Sequence, residues 1–322
     1  MKKIAILTSG GDAPGMNSCI RAVVRAATSE NLEIFGIRRG YEGLINGDLI
    51  HMDRRSVANI IHLGGTILGT ARSAEFRTKE GRTLAIKVLR QYGIDGLVLI
   101  GGDGTFRGGT QLALECGVAI IGVPGTIDND VYGTDFTIGF DTAINTALES
   151  IDRIRDTALS HDRLFFVEVM GRHTGYIALE SGLAGGAEEV LIPEIPTSID
   201  ELCDRLLNSF GAGKRSAIVV VAEGEQAGDS FRIAREVKEK CGYESRVCIL
   251  GHVQRGGSPT ARDRVLASKL GAATVSGLLN GKSGCMVGEM CGEIAYTPLE
   301  DTWNKKKELN HSLRELALLL AG

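Results

Sequence analysis

One stretch constrains this chain more than any other: Asp95-Gly-Leu-Val-Leu-Ile-Gly-Gly-Asp-Gly-Thr105. Gly96–Ile100 is a short apolar run of the kind found in strands buried on both faces. Gly101, Gly102 and Gly104 follow at once, and from Phe106 the sequence reads as a helix. Strand, glycine loop and helix together present backbone N–H groups and a positive helix end to an anion. Asp103 sits inside that loop, where a carboxylate repels an anion unless a cation lies between them. The economical reading is a polyphosphate with Mg²⁺ held near Asp103. The other reading is a tight strand-to-helix turn in which Asp103 caps the helix.

Apolar runs alternate with amphipathic stretches along most of the chain. Ile4–Thr8, Glu33–Ile37, Gly96–Ile100, Ala119–Val123, Leu164–Val169, Glu189–Ile192, Ala217–Ala222 and Val247–Leu250 read as strands. Asn17–Ser29, Asp141–Ser160, Ile199–Phe210, Asp229–Lys240, Thr260–Leu279 and Glu308–Leu320 have helical spacing. Such alternation implies α/β architecture, parallel sheets with helices on both faces. A length of 322 residues is too long for one ordinary core and suits two lobes. The strands could close one barrel or form two open sheets. Glycine loops after several strands favour open sheets with crevices at their carboxyl ends.

Composition narrows the partners. The net charge of −4 gives no reason to expect nucleic acid. No apolar run approaches the ~20 residues a bilayer span needs, so no membrane association is expected. The start, Met1-Lys-Lys-Ile-Ala-Ile-Leu-Thr8, reads as a first strand and not as a signal peptide. Seven scattered cysteines with no Cys-x-x-Cys pair suit a reducing compartment, and a cytoplasmic protein is expected.

Further motifs follow strands. Ser9-Gly-Gly-Asp-Ala-Pro-Gly-Met-Asn17 is a second glycine loop that enters a helix, and no Gly-Lys-Ser/Thr follows it. It suits close backbone approach to a phosphate, or simply a loop that needs positive φ. Val123-Pro-Gly-Thr-Ile-Asp-Asn-Asp130 places two carboxylates around an amide just past a buried strand. A carboxylate there can accept a hydroxyl proton or help hold a metal; an Asx-rich turn is the plain alternative. Arg163, Arg172, Arg246 and Arg255 read as lying in loops after strands, where guanidinium forks suit phosphate. Arg21 and Arg25 are one helical turn apart, and Arg54-Arg55 and Lys214-Arg215 add cations.

Taken together these residues resemble the bacterial ATP-dependent 6-phosphofructokinases. The motifs that carry the resemblance are Gly10–Asn17, Gly101–Thr105, Pro124–Asp130, Met170–Arg172 and Gly251-His-Val-Gln-Arg-Gly-Gly257, in the family's order and spacing from Lys3 to about Gly281. The resemblance implies two Rossmann-like lobes with the active site in the cleft between them. It divides the chain into an ATP-binding lobe, residues 1–138 with about 251–305, and a sugar-phosphate lobe, about 139–250 with 306–322. It implies an ATP site at Gly11, Tyr41, Arg72, Ser73 and Gly102, Asp103, Gly104 and Thr105, with Asp103 as the Mg²⁺ ligand. Asp128 matches the catalytic base, and Thr126 and Arg172 would flank the transferring phosphoryl. Fructose 6-phosphate would meet Thr126, Ile127, Asp128, Met170, Gly171, Arg172, Glu223, His252 and Arg255. Arg163 and Arg246 would reach its 6-phosphate from a neighbouring subunit of a homotetramer. An effector site for ADP or phosphoenolpyruvate would draw on Arg21, Arg25, Arg55, Arg155, Gly186, Glu188, Lys214 and Arg215. Glu188 would ligate the Mg²⁺ of bound ADP. Ala212 stands where relatives carry Lys, one cation fewer.

Rival readings remain. Pyrophosphate-dependent relatives carry Asp where Gly104 stands and Lys where Gly125 stands, so glycine at both positions favours ATP by leaving room for the nucleotide. NAD and lipid kinases share Gly-Gly-Asp-Gly-Thr but give no reason for Thr-Ile-Asp-Asn-Asp. A non-catalytic nucleotide sensor is the alternative of another class, and Asp103 together with Asp128 argues against it.

Overall fold

A computed structural model describes residues 1–161, 163–224 and 229–320. In chain order the elements are β1 (Lys3–Thr8), α1 (Met16–Ser29), β2 (Glu33–Ile37), α2 (Gly40–Asn46), β3 (Leu49–Met52), α3 (Lys79–Tyr92), β4 (Gly96–Gly101), α4 (Asp103–Cys116), β5 (Ala119–Pro124) and α5 (Phe140–His161). They continue with β6 (Leu164–Val169), α6 (Tyr176–Ala184), β7 (Glu189–Leu191), α7 (Ile199–Gly211), β8 (Ala217–Ala222), α8 (Ser230–Cys241), β9 (Ser245–Ile249) and α9 (Ala261–Leu279). Last come β10 (Cys285–Met290), β11 (Glu293–Pro298), α10 (Asp301–Asn304) and α11 (His311–Leu320). Single 3₁₀ turns lie at Glu75–Arg77 and Gly251–Arg255.

The strands form two open sheets, ordered β11-β10-β5-β4-β1-β2-β3 and β7-β8-β6-β9. In the first, the strands from β10 to β2 run parallel, and β3 and β11 pair antiparallel at the two edges. The second is parallel throughout. β4 and β8 are buried along their whole length, which is why both read as unbroken apolar runs. Each sheet has its own core. Leu97, Leu99, Phe106 and Leu112 cluster with Leu44 and Leu89 around the first. Phe166, Val219 and Val221 meet Leu202, Leu206, Ile233 and Val237 around the second. At roughly 1.5–3 kcal/mol for each such side chain, these two clusters are what hold the strands in place.

All eight strands expected from the sequence form. Three more exist that the sequence reading passed over. β3 is a four-residue edge strand whose only buried residue is Met52, so it has no apolar face to betray it. β10 and β11 form a hairpin on Cys291-Gly292, with φ of 51° and 84°. Positive φ at both central residues is the I′ turn that Asn-Gly usually supplies, and Cys in the first position hid it. The helix after β4 starts at Asp103, not Phe106, so Asp103, Gly104 and Thr105 are its first turn. Buried Leu179, Ala178 and Ser181 cover α6 too evenly to leave a helical period.

By internal contacts the chain divides into two compact units. One comprises Met1–Ile127, Val131–Thr142 and Arg255–Lys307; the other comprises Asp128–Asp130, Ala143–Gln254 and the stretch from Glu308 onward. Among the described residues no helix is long and apolar enough to cross a membrane. The seven cysteines are free thiols.

Candidate active site

In the first sheet β1 lies between β2 and β4, so the direction in which strands are added reverses between β1 and β4. A crevice opens at such a switch point, outside the carboxyl ends of the strands. Both glycine loops leave the sheet there. They are stitched together: the Ser9 N–H donates to Ile100 O at 3.0 Å, and the Thr105 hydroxyl donates to Ser9 O at 3.0 Å. A Cβ on Gly101 would overlap the Thr105 side chain and lie 2.5 Å from Ser9 O, so this close approach requires glycine. Gly102 precedes α4, its carbonyl accepting from Thr105 N and Phe106 N at 2.9 and 3.1 Å.

Asp103 and Gly104 therefore occupy the first turn of a 14-residue helix, where the dipole favours anions. A Cβ on Gly104 would meet nothing within 4 Å, so the space beside this turn is open. Among the described residues no group of three or more His, Cys, Asp or Glu could hold a metal. Asp103 is the acid of this turn, and a carboxylate oxygen is the kind of donor a hard divalent cation takes.

Tyr41 is only 5% exposed. Its hydroxyl donates to Thr105 O at 2.5 Å, and its ring stacks on Phe76 with centroids 3.9 Å apart. A Cβ on Gly108 would sit 2.9 Å from Tyr41 and 3.0 Å from Phe76. Tyr41 thus supports the first turn of α4 from inside the core, and Phe76 and Gly108 are neighbours that the sequence reading did not single out. Arg72 is exposed, while Ser73 Oγ accepts from Phe76 N at 3.2 Å and caps the 3₁₀ turn. Arg255 is brought to the first glycine loop: its Nη1 donates to Asp12 O at 3.2 Å, and a Cβ on Gly11 would overlap its guanidinium.

β5 leads into the carboxylate loop. Gly125 N donates to Gly101 O at 3.0 Å, Ile138 N to Pro124 O at 2.9 Å, and the Thr137 hydroxyl to Thr126 O at 2.6 Å. Thr126 is half-buried, Ile127 is buried, and Asp128 is 3% exposed. Gly125 corrects an expectation. A Cβ there would lie 2.8 Å from Ile100 Cγ2 and 3.1 Å from Met16 Cε, so this glycine makes room for the protein's own core methyls. Of the two, Gly104 is the one that faces open space.

In the second unit, Met170, Gly171 and Arg172 follow β6, and Glu223 follows β8, whose last residue pairs with that of β6. Met170 N donates to the side chain of fully buried Gln254 at 2.8 Å. Arg172 N donates to Glu223 Oε1 at 2.9 Å. Thr174 Oγ1 donates to Gly171 O at 2.9 Å and to Asp128 O at 3.4 Å. Asp128, Met170, Gly171, Arg172 and Glu223 are thereby brought to one sheet edge. Arg172 and Asn129 have φ of 56° and 53°, a costly conformation for non-glycine residues that clusters at functional sites. His252 lies exposed on the 3₁₀ turn before Arg255. The reading missed Gln254 as a positioning group, although it stands inside a quoted motif.

Arg163 and Arg246 do not lie after strands, contrary to the sequence reading. Arg163 precedes β6, and Arg246 is the second residue of β9, paired with Phe165. Both occupy the amino edge of the sheet. Met170 lies seven residues beyond Arg163 along β6, roughly 23 Å away at about 3.3 Å per residue. Arg163 lines a cavity with Phe210, Lys214, Arg215, Tyr243 and Glu244.

The expected effector residues fall into two groups. In the second unit, Arg155 donates to the carbonyls of Gly185 and Gly186, and Glu188 Oε1 lies 4.0 Å from both Arg155 and Lys214. Glu188 Oε2 accepts from Ile218 N at 2.5 Å. In the first unit, Arg21 is half-buried and Arg25 exposed on α1, and Arg55 is exposed after β3.

Known proteins match this arrangement over its full length. A phosphofructokinase family model matches residues 3–278. An ATP-dependent 6-phosphofructokinase 1 of Thermus thermophilus is 58% identical over 321 residues, which is 100% of both chains. The phosphofructokinase structure from Saccharomyces cerevisiae superposes with a TM-score of 0.91 at 37% identity, covering 100% of this chain and 48% of the yeast chain. A pyrophosphate-dependent phosphofructokinase from Marinobacter aquaeolei superposes with a TM-score of 0.84 at 25% identity, covering 100% of this chain and 92% of that one. With the matched family model spanning both glycine loops at the switch point, the chain belongs to the phosphofructokinase family.

Proposed function

We propose that this protein is an ATP-dependent 6-phosphofructokinase, which moves the γ-phosphoryl of ATP to the 1-hydroxyl of fructose 6-phosphate. One observation carries the reading: the chain is 58% identical, end to end, to a relative that bears this name. The open first turn at Gly104 agrees with it. Gly11, Arg72, Ser73 and Gly102–Thr105 receive ATP, with Tyr41 behind the loop. Asp103 would hold Mg²⁺, which would supply neutralisation of phosphate charge. Met170, Gly171, Glu223, His252 and Arg255 receive the sugar phosphate, and Ile127 packs under the loop that carries the base. Asp128 orients the 1-hydroxyl and takes its proton as the sugar oxygen bonds to the γ-phosphorus. The bond from that phosphorus to the bridging oxygen breaks, and ADP leaves. Thr126 and Arg172 flank the moving group. Such a reaction asks the protein mainly for positioning and charge neutralisation.

The test is formation of fructose 1,6-bisphosphate from fructose 6-phosphate, with ATP and with pyrophosphate in parallel, both with Mg²⁺. Activity with ATP is expected. Higher kcat/KM with pyrophosphate would move the chain to the other branch of the family, and no turnover with either donor would leave a nucleotide sensor.

Arg163 and Arg246, at the far edge of their own sheet, serve the sugar 6-phosphate of a neighbouring subunit in a cytoplasmic homotetramer. Arg163→Ser and Arg246→Ser are expected to raise KM for fructose 6-phosphate by roughly 10–100-fold, with KM for ATP and kcat changed much less, because they act on a non-reacting group. Equal damage to both KM values would point to lost assembly.

In that homotetramer, an effector site for ADP or phosphoenolpyruvate at a subunit interface draws on Arg21, Arg25, Arg55, Arg155, Gly186, Glu188, Lys214 and Arg215. Glu188 already draws on Arg155 and Lys214, and Ala212 ends α7 without a charge, so the site is comparatively weak. Millimolar phosphoenolpyruvate is expected to shift fructose 6-phosphate saturation, with the shift lost in Arg25→Ala and enlarged in Ala212→Lys. An unmoved native curve would remove the site.

A further inference from the structure

Asp263 belongs to none of the groups assigned above, yet it is one of the most deeply buried acids in the molecule, 1% exposed in the first turn of α9. Its Oδ1 accepts the Gly139 N–H at 2.8 Å. Its Oδ2 accepts the N–H and the hydroxyl of Thr142 at 2.8 and 2.5 Å. Thr260 reinforces the same joint, its N–H donating to Thr142 Oγ1 at 3.1 Å and its hydroxyl to Asp141 Oδ2 at 2.6 Å. A carboxylate removed from water is costly unless such donors meet it. Burial still pushes the Asp263 carboxyl above its ordinary range, against the pull of these donors.

These bonds hold the run Thr137–Thr142, and that run lies along the segment that carries the catalytic loop. Ile138 bridges to Gly125 and donates its N–H to Pro124 O at 2.9 Å, and the Thr137 hydroxyl donates to Thr126 O at 2.6 Å. The fit has no slack. A Cβ on Gly139, whose φ is +103°, would lie 2.7 Å from Ala13 Cβ and 3.3 Å from Ile127 Cγ2. One on Gly15 would lie 2.7 Å from Ile138 Cγ2.

We propose that Asp263 is a positioning residue for phosphoryl transfer. Through Gly139 and Thr142 it keeps Thr137 and Ile138 against the backbone of Pro124–Thr126. It thereby sets where Thr126 stands and, two residues further along the chain, Asp128. The inference rests on the functional reading above. Its physical basis is that a displacement of reacting groups on the order of 1 Å can cost about 10²-fold in rate even when the mutation lies far from the chemistry.

The test compares steady-state kinetics of the native chain with Asp263→Asn, which keeps the shape but turns one acceptor into a donor. Thr142→Val removes one donor alone, and Thr137→Val removes the hydroxyl that reaches Thr126. Asp263→Asn is expected to lower kcat by roughly 10–100-fold while both KM values move by less than about 3-fold and ADP binds at native stoichiometry. The double variant Asp263→Asn/Thr137→Val should lose little beyond the worse single one, since both act through one chain of contacts. A native kcat, or a loss of kcat that merely tracks lost binding sites, overturns the proposal. Should Asp263→Asn fail to fold, Thr142→Val decides: reduced kcat at native KM supports the proposal, and native kcat refutes it. An inactive native chain fails the functional reading and this inference with it, whereas an active chain with unaffected variants fails the inference alone.

Discussion

Asp128→Ser is expected to lower kcat by roughly 10²–10⁴ and to leave both substrates bound, the usual worth of a positioned proton acceptor. The Ile138–Pro124, Thr137–Thr126 and Thr174–Asp128 hydrogen bonds that shape the loop all end on backbone carbonyls. Those three contacts do not use the carboxylate and remain available when it goes. A 3% exposed carboxyl is also poorly replaced by bulk water, so little rescue by solvent is expected. Single-turnover and steady-state rates with ATP and fructose 6-phosphate check the claim. A near-native kcat would remove Asp128 from the role of base. A fall in kcat matched by a fall in thermal midpoint would assign it to the fold instead.

The second large effect belongs to Gly104. Gly104→Asp is expected to cut kcat/KM for ATP by roughly 10²–10³, because a like charge set against phosphates costs several kcal/mol, and each 1.4 kcal/mol is a factor of ten. The protein itself should tolerate the change. A Cβ there meets nothing within 4 Å outside its own turn of helix, and an acid in the first turn of α4 suits the helix dipole. Gly125→Lys is the contrasting control. Its Cβ would press on Ile100 and Met16, so it should lower the thermal midpoint whatever donor is used. Native ATP kinetics in Gly104→Asp would end the steric and electrostatic account of donor choice. Loss of stability in that variant would show that the turn is less open than its surroundings indicate.

Much of this was legible in the chain itself. β4 and β8 are apolar from end to end because both faces are buried, and that pattern is local. The glycine loops announced themselves because backbone that approaches an anion or a neighbouring chain closely tolerates few other residues, as Gly101 shows against Ser9 and Thr105. The alternation of strands and helices carried the α/β class and its mostly parallel sheets, since a parallel pair needs a crossover and the crossovers are helices.

What the chain could not disclose depends on partners distant in sequence. Resemblance alone assigns Tyr41 to the ATP site, and only packing shows it buried against Phe76 and Thr105 O. Arg163 and Arg172 both flank the strand β6, and only strand direction places them at opposite edges of one sheet. Gly104 and Gly125 are identical letters, yet one faces open space and the other two core methyls. Asp263 is an ordinary acid near a helix start until Gly139 and Thr142, more than a hundred residues earlier, converge on it. Composition, period and loop chemistry are set by neighbours along the chain, so the sequence by itself determined the architecture and the kind of ligand it suits. Burial, strand direction and the convergence of distant donors are set by packing, so only the tertiary structure decided which of these residues face substrate and which hold the others in place.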